Sequence, residues 1–113
     1  MEDVSVLNTI KKMLGLAPDY NAFDLDVQVA VNSALSSLSQ ITTGQYVTVT
    51  GPEVTWDDLN LGNDNVRELS KQYVYLRARL LFDPPSNSFI TASFEKQIEE
   101  LSWRLEVMAN RGA

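Results

Sequence analysis

The chain has 113 residues, a formal net charge of -6, and neither histidine nor cysteine. This length predicts a single domain, residues 1–113, and 44% hydrophobic residues suffice for one modest core. The missing residue types exclude catalytic triads, thiolate chemistry and the common zinc ligands, and the acidic balance disfavours DNA or RNA binding by charge neutralisation.

The first predicted helix covers about residues 3–14. Its apolar side chains recur at steps of three and four residues, which places them on one helical face: Val4, Leu7, Ile10 and Leu14. The carboxylate of Asp3 can cap the start. Gly15 is expected to end the helix because glycine tolerates a left-handed backbone.

The second predicted helix covers about residues 24–41, although a strand competes with it. The helical stripe consists of Val27, Val31, Ala34, Leu35, Leu38 and Ile41. The alternation from Leu25 to Val31 is typical of a strand, and the β-branched residues favour one. The helical period persists for about four turns, however, whereas the alternation stops at Ser33. We therefore predict a helix.

The pattern changes over residues 42–63, which we interpret as a long loop or a short β-hairpin excursion. Residues 46–50 alternate as a strand would, Gly51 and Pro52 predict a turn, and residues 53–56 can return as a second strand. An isolated hairpin is only marginally stable in water, so it should lean on the helices or on another chain.

Two further helices are predicted, over about residues 64–82 and 88–110. The buried stripe of the third helix consists of Val66, Leu69, Tyr73, Leu76 and Leu80; that of the fourth consists of Phe94, Ile98, Leu101, Leu105 and Met108. Asn63 or Asp64 can cap the third helix, and Pro84 favours its end at the preceding residue. The fold class is therefore mainly α, a four-helix domain. Phe89 and Ile90 are expected in the core.

Two apolar features do not fit a simple bundle. Trp103 points away from the stripe of the fourth helix, so it either covers a helix flank or anchors a neighbouring chain. The excursion either folds back as a hairpin on its own helices or serves as an arm that pairs with a neighbouring subunit. The candidate interface residues are Tyr46, Val47, Val49, Val54, Trp56, Trp103 and Met108.

Carboxylates offer the remaining route to chemistry. The visible pairs are Asp57 with Asp58 and Asp24 with Asp26. Helix capping and a hydrated loop account for them better than catalysis or cation binding, because residues 57–64 lack the spacing of a calcium loop. We expect no catalytic, metal-binding or cofactor-binding residue and no enzymatic activity.

Several segments together resemble small head–tail connector proteins of tailed phages. The resemblance covers nearly the whole chain, and its segments are residues 6–15 (VLNTIKKMLG), 24–38 (DLDVQVAVNSALSSL), 55–58 (TWDD), 73–86 (YVYLRARLLFDPPS) and 100–105 (ELSWRL). It implies a phage or prophage protein that forms a ring, typically of twelve copies, beneath the portal. Such a ring extends the DNA channel and docks the next neck protein, a stopper or tail-completion protein.

The resemblance also implies where contacts lie. Ring contacts would use the loop between the second and third helices, residues 45–56, and portal contacts the C-terminal residues 103–113. DNA would pass through without specific binding, since an acidic wall lets it slide. The expected location is the virion neck after assembly in the host cytoplasm, with no signal peptide and no membrane span. The alternative is a stand-alone acidic module that inhibits or regulates another protein.

Overall fold

The computed structural model describes residues 5–17, 19–42 and 44–111. Over these residues the protein is mainly α-helical, which confirms the predicted fold class. The helices are α1 (Val6–Met13), α2 (Asp24–Thr42), α3 (Trp56–Leu59), α4 (Asp64–Phe82) and α5 (Ser88–Arg111). The bounds of α2, α4 and α5 lie within one residue of those expected from the sequence. The short α3 was not expected.

The core forms around α2 and α4, and α1 and α5 each pack against both of them. The rings of Phe23 and Phe82 meet edge to face, so the start of α2 lies beside the end of α4 and the two helices are antiparallel. The helical stripe of α2 is buried as predicted, at Val27, Val31, Ala34, Leu35 and Leu38. The helical interpretation of this segment over the strand is therefore correct.

The start of α1 is capped by Ser5. Its hydroxyl oxygen accepts a hydrogen bond from the backbone N–H of Asn8 at 3.2 Å, which satisfies one of the free amides of the first turn. Asp3, the expected cap, lies outside the described residues. Ser5 also forms an isolated antiparallel bridge with Thr55, so the start of α1 is tied to the segment before α3.

The end of α1 shows why a glycine follows it. Gly15 has a φ of 87°, and its N–H donates to the carbonyl of Lys12 at 3.0 Å. The N–H of Leu16 donates to the carbonyl of Lys11 at 2.8 Å. These two bonds form the Schellman arrangement, in which a left-handed residue satisfies the last carbonyls of a helix. The predicted stop at Gly15 is correct.

The Gly15→Ala substitution is expected to lower the free energy of unfolding by about 1 kcal/mol, because an L-residue is strained in the left-handed region. A methyl group at this position meets no atom within 4 Å, so the backbone alone carries the cost. Urea unfolding followed by circular dichroism measures the loss. Gly15→Asn is the matched control and should lose less, since asparagine tolerates this conformation. An alanine variant as stable as the native chain would contradict the argument.

The excursion is a loop followed by a short helix, and the hairpin alternative is not formed. Residues 44–50 form no regular secondary structure, and among the described residues they pair with no second strand. Thr55 instead caps α3 through a capping box, in which its hydroxyl accepts from the Asp58 N–H and its own N–H donates to the Asp58 carboxylate. Of the residues expected to form the returning strand, Trp56 begins α3, while Val54 and Thr55 pair with the start of α1.

Within the described part of the chain, no helix combines the length and apolarity needed to cross a membrane.

Candidate protein-binding surfaces

One end of the bundle brings together the end of α1, the start of α2, the end of α4 and the start of α5. Lys11 in the last turn of α1 pairs with Asp24 in the first turn of α2 at 2.6 Å, and the Phe23–Phe82 contact adds the end of α4. Seven large hydrophobic side chains are exposed here: Met13, Tyr20, Phe23, Leu25, Leu81, Phe89 and Ile90. We call this set the apolar end.

The apolar end contains a shallow pocket of about 560 Å³. Its apolar lining is Leu14, Leu16, Phe23, Leu81 and Phe82, with the carboxylates of Asp26 and Asp83 beside it. Contiguous apolar surface of this kind is uncommon on a protein that acts alone and marks a site for another protein.

The outer face of α5 is a second candidate surface. Phe89 is 85% exposed and Trp103 is 64% exposed. Both border one long groove, in which the exposed side chain of Lys96 lies between them. The predicted outward direction of Trp103 is correct.

The expectation that Phe89 and Ile90 belong to the core is wrong, because both side chains are exposed at the first turn of α5. Phe94, one turn later, packs against the core.

The outer face of α2 is the third candidate surface. Leu25 and Val29, four residues apart, are exposed, and the exposed serines Ser33 and Ser36 continue the face toward the other end of the bundle. Because α2 and α5 both pack on α4 and on each other, their outer faces point away from the core in different directions. The subunit thus carries apolar side chains on two separate faces.

The loop residues proposed from the sequence separate into two groups. Val49 and Trp56 are buried in the subunit's own core, so they offer no surface to a partner in this conformation. Tyr46 and Val54 are partly buried against the same core, and Val47 is exposed. Met108, on α5, is half-buried. Of the seven candidates, Val47 and Trp103 present substantial apolar surface.

Trp56, the first residue of α3, is buried where α1 and α4 meet it. Its indole N–H donates to the hydroxyl of Thr9 on α1 at 3.1 Å, and the ammonium of Lys71 on α4 lies 5.5 Å from the ring centroid. A buried tryptophan needs such a partner for its N–H. The sequence marked Trp56 as an unusual apolar residue in a loop, but the acceptor of its indole N–H, Thr9, lies 47 positions away in the chain.

Three of the four acidic residues singled out from the sequence have structural partners, and the fourth, Asp26, is exposed. Asp57 forms an ion pair with Arg67, Asp58 belongs to the capping box of α3, and Asp24 pairs with the buried Lys11. Among the described residues, no group of three or more acidic side chains is arranged to hold a metal ion. These carboxylates stabilise helix starts and hold α1 and α4 in place.

The fold defines a small helical domain that leaves large apolar side chains exposed on its surface. A family model described as phage connector protein matches residues 6–112. The chain therefore belongs to the phage connector protein family, as its resemblance predicted, and this family is structural. No curated protein matches the sequence, and no solved structure matches the fold.

Proposed function

We propose that this protein is the head–tail connector of a tailed phage or prophage. Copies of the chain form a ring, typically of twelve, beneath the portal, and the ring extends the DNA channel and docks the next neck or tail protein. Besides the family, one observation supports this function: the subunit leaves apolar side chains exposed on two faces that point in different directions. A closed ring needs two such faces, because each copy contacts its two neighbours through different surfaces.

The outer faces of α5 and α2 are the surfaces we assign to the contact between neighbouring copies. Both helices begin at the apolar end and therefore run in the same direction, so the α5 face of one copy can lie along the α2 face of the next. Phe89 would then meet Leu25 and Val29, while Trp103 would lie over the small side chains near Ser36. Large aromatic residues covering smaller ones at a buried centre are typical of strong interfaces.

The remaining roles follow from position and charge. The ring would leave the rest of the apolar end, around Phe23 and Leu81, and the loop of residues 44–50 for contacts with the portal and the next neck protein. The net charge of -6 disfavours binding to the phosphate backbone, so DNA would pass through the channel without being held. The ring would assemble in the host cytoplasm and remain in the virion neck.

The mass of the purified protein in solution, alone and with the portal protein of the same phage, tests this function. Native mass spectrometry should detect a closed ring, formed either spontaneously or only on the portal. A chain that stays monomeric in both conditions would contradict the proposal.

The Val29→Asp substitution should abolish the ring, because it places a charge inside the proposed contact between copies. Gln72→Asp adds the same charge at an exposed position of α4, outside both faces, and is the matched control. Loss of the ring in both variants would show a general charge effect and would argue against the assigned faces.

A further inference from the structure

A pocket of about 310 Å³ lies between α2 and the loop that follows it. Its α2 wall consists of Asn32, Leu35, Ser36 and Ser39, and residues 44–48 of the loop form the other wall. The exposed Ser36 belongs both to this pocket and to the outer face of α2. The α2 face that we assign to the contact between copies therefore ends in a recess with room for an aromatic side chain.

The lining of this pocket suits an indole ring. Leu35 and Val47 offer apolar contacts, and the serine hydroxyls offer hydrogen-bond acceptors. The hydroxyl of Ser39 donates to the carbonyl of Ser36 at 2.8 Å, so its oxygen can still accept. A tryptophan that becomes buried needs such an acceptor for its N–H. A tryptophan that enters from another chain would therefore find both kinds of contact here.

The outer face of α5 carries a tryptophan at the matching distance. Trp103 lies 14 residues after Phe89, and Ser39 lies 14 residues after Leu25. Such a stretch of α-helix spans about 21 Å and nearly four full turns, so both members of each pair lie on one side of their helix. Because α2 and α5 run in the same direction, the register that sets Phe89 beside Leu25 brings Trp103 to the pocket.

The charges of the two faces are complementary in this register. Lys96, midway along the α5 groove, forms no ion pair with any described residue, and the same is true of Asp26 on α2. Asp24 and Asp26 are the only charged residues of α2, and Lys11 already pairs with Asp24. Helical side chains lean toward the N-terminus of their helix, so the ammonium of Lys96 reaches back by about one turn, toward the level of Asp26.

We propose that the pocket between α2 and its loop receives Trp103 of a second copy, and that Lys96 of that copy pairs with Asp26. This inference rests on the proposed ring and fixes the register of the contact between neighbouring copies. Glu99, which borders the same α5 groove, then faces the serines of α2, so the contact brings no carboxylates together. Only the side of the loop that faces α2 is used, and its other side stays open to a further neck protein.

Charge reversal tests the ion pair, with light scattering over a range of protein concentrations as the measurement. Lys96→Asp and Asp26→Lys each place like charges opposite one another and should raise the concentration needed for the ring by roughly ten-fold or more. The double variant restores an opposite pair and should assemble nearly as well as the native chain. Lys12→Asp makes the same charge change at an exposed position of α1, outside both faces, and is the matched control.

Filling the pocket tests the position of the tryptophan. Ser39→Phe occupies the pocket from within the subunit and should also raise the concentration needed for the ring by roughly ten-fold or more, since it excludes a contact of hot-spot size. Ser39→Ala keeps the space and is the matched control, so it should assemble much closer to the native chain. In the native protein, the fluorescence of Trp103 should shift to shorter wavelength when the ring forms, whereas Trp56 is buried in the free subunit already.

The opposing results are distinct. Charge reversals that change nothing, or that the double variant does not rescue, would overturn the register. A folded Ser39→Phe subunit that assembles like the native chain would overturn the pocket. A native ring in which Trp103 emits as in the free subunit would overturn it too, and would leave that side chain for a different protein. In these three cases the ring and the proposed function stand. A native chain that forms no ring, alone or on the portal, would refute the proposed function and this inference with it.

Discussion

The Trp56→Ala substitution is expected to lower the free energy of unfolding by about 3–5 kcal/mol, the usual cost of removing a large aromatic side chain from a core. Trp56 is 2% exposed and joins α3 to Thr9 of α1 and Lys71 of α4. A domain of this size is stable by about 5–15 kcal/mol in total. The variant should therefore be partly unfolded near physiological temperature or melt well below the native chain.

Urea unfolding followed by circular dichroism measures this loss, and two further variants separate its causes. Thr9→Val leaves the indole N–H without its acceptor and should cost about 1–3 kcal/mol. Trp103→Phe changes the exposed tryptophan and should alter the stability of the subunit by no more than about 0.5 kcal/mol. A loss below about 1 kcal/mol for Trp56→Ala would mean that Trp56 is not part of the core.

The helices could be predicted because each one is specified by residues close together in the chain. In α2 the apolar period of Val27, Val31, Leu35 and Leu38 prevailed over β-branched residues that individually favour a strand, since a helix of this length gains more by burying a continuous stripe. The end of α1 could also be predicted, because Gly15, which ends it, lies next to the helix in the chain.

The loop could not be predicted in detail because distant residues decide its structure. Asn32 lies 17 positions before Val49 and satisfies the backbone groups that a returning strand would have bound. Thr55 bridges to Ser5, 50 positions away. The short α3 did leave a local signal, since Thr55 followed three residues later by Asp58 is a variant of the capping box.

The apolar end could not be predicted from the sequence, because the set of residues that form it depends on which helix ends meet in space. Leu81 lies between Leu80 and Phe82, and three adjacent apolar residues of a helix cannot all face the same core. Phe23 precedes the stripe of α2 and was not part of any periodic pattern. A list of apolar residues left outside the helical stripes would have found Phe23, Leu81 and Phe89. It would not have shown that they share one end of the bundle.

The Trp103→Ala substitution is expected to prevent ring assembly while leaving the subunit folded. Trp103 is 64% exposed, so its removal should change the free energy of unfolding by no more than about 0.5 kcal/mol. An aromatic residue at the centre of an interface commonly contributes about 2 kcal/mol or more, which corresponds to a roughly 30-fold weaker association at each contact. Because every copy takes part in two contacts, the concentration needed for a closed ring should rise by more than that factor.

Light scattering across a range of protein concentrations, with and without the portal protein, measures this change. Arg104→Ala is the matched control, because Arg104 is the next residue along α5 and is exposed. Its ion pair with Glu100, at 3.7 Å, lies on the surface and contributes little. Trp103→Phe, which keeps an aromatic ring, should assemble better than the alanine variant. If the alanine variant assembles at the same concentration as the native chain, the α5 face does not form the contact between copies, and the ring must be held by the apolar end or the loop.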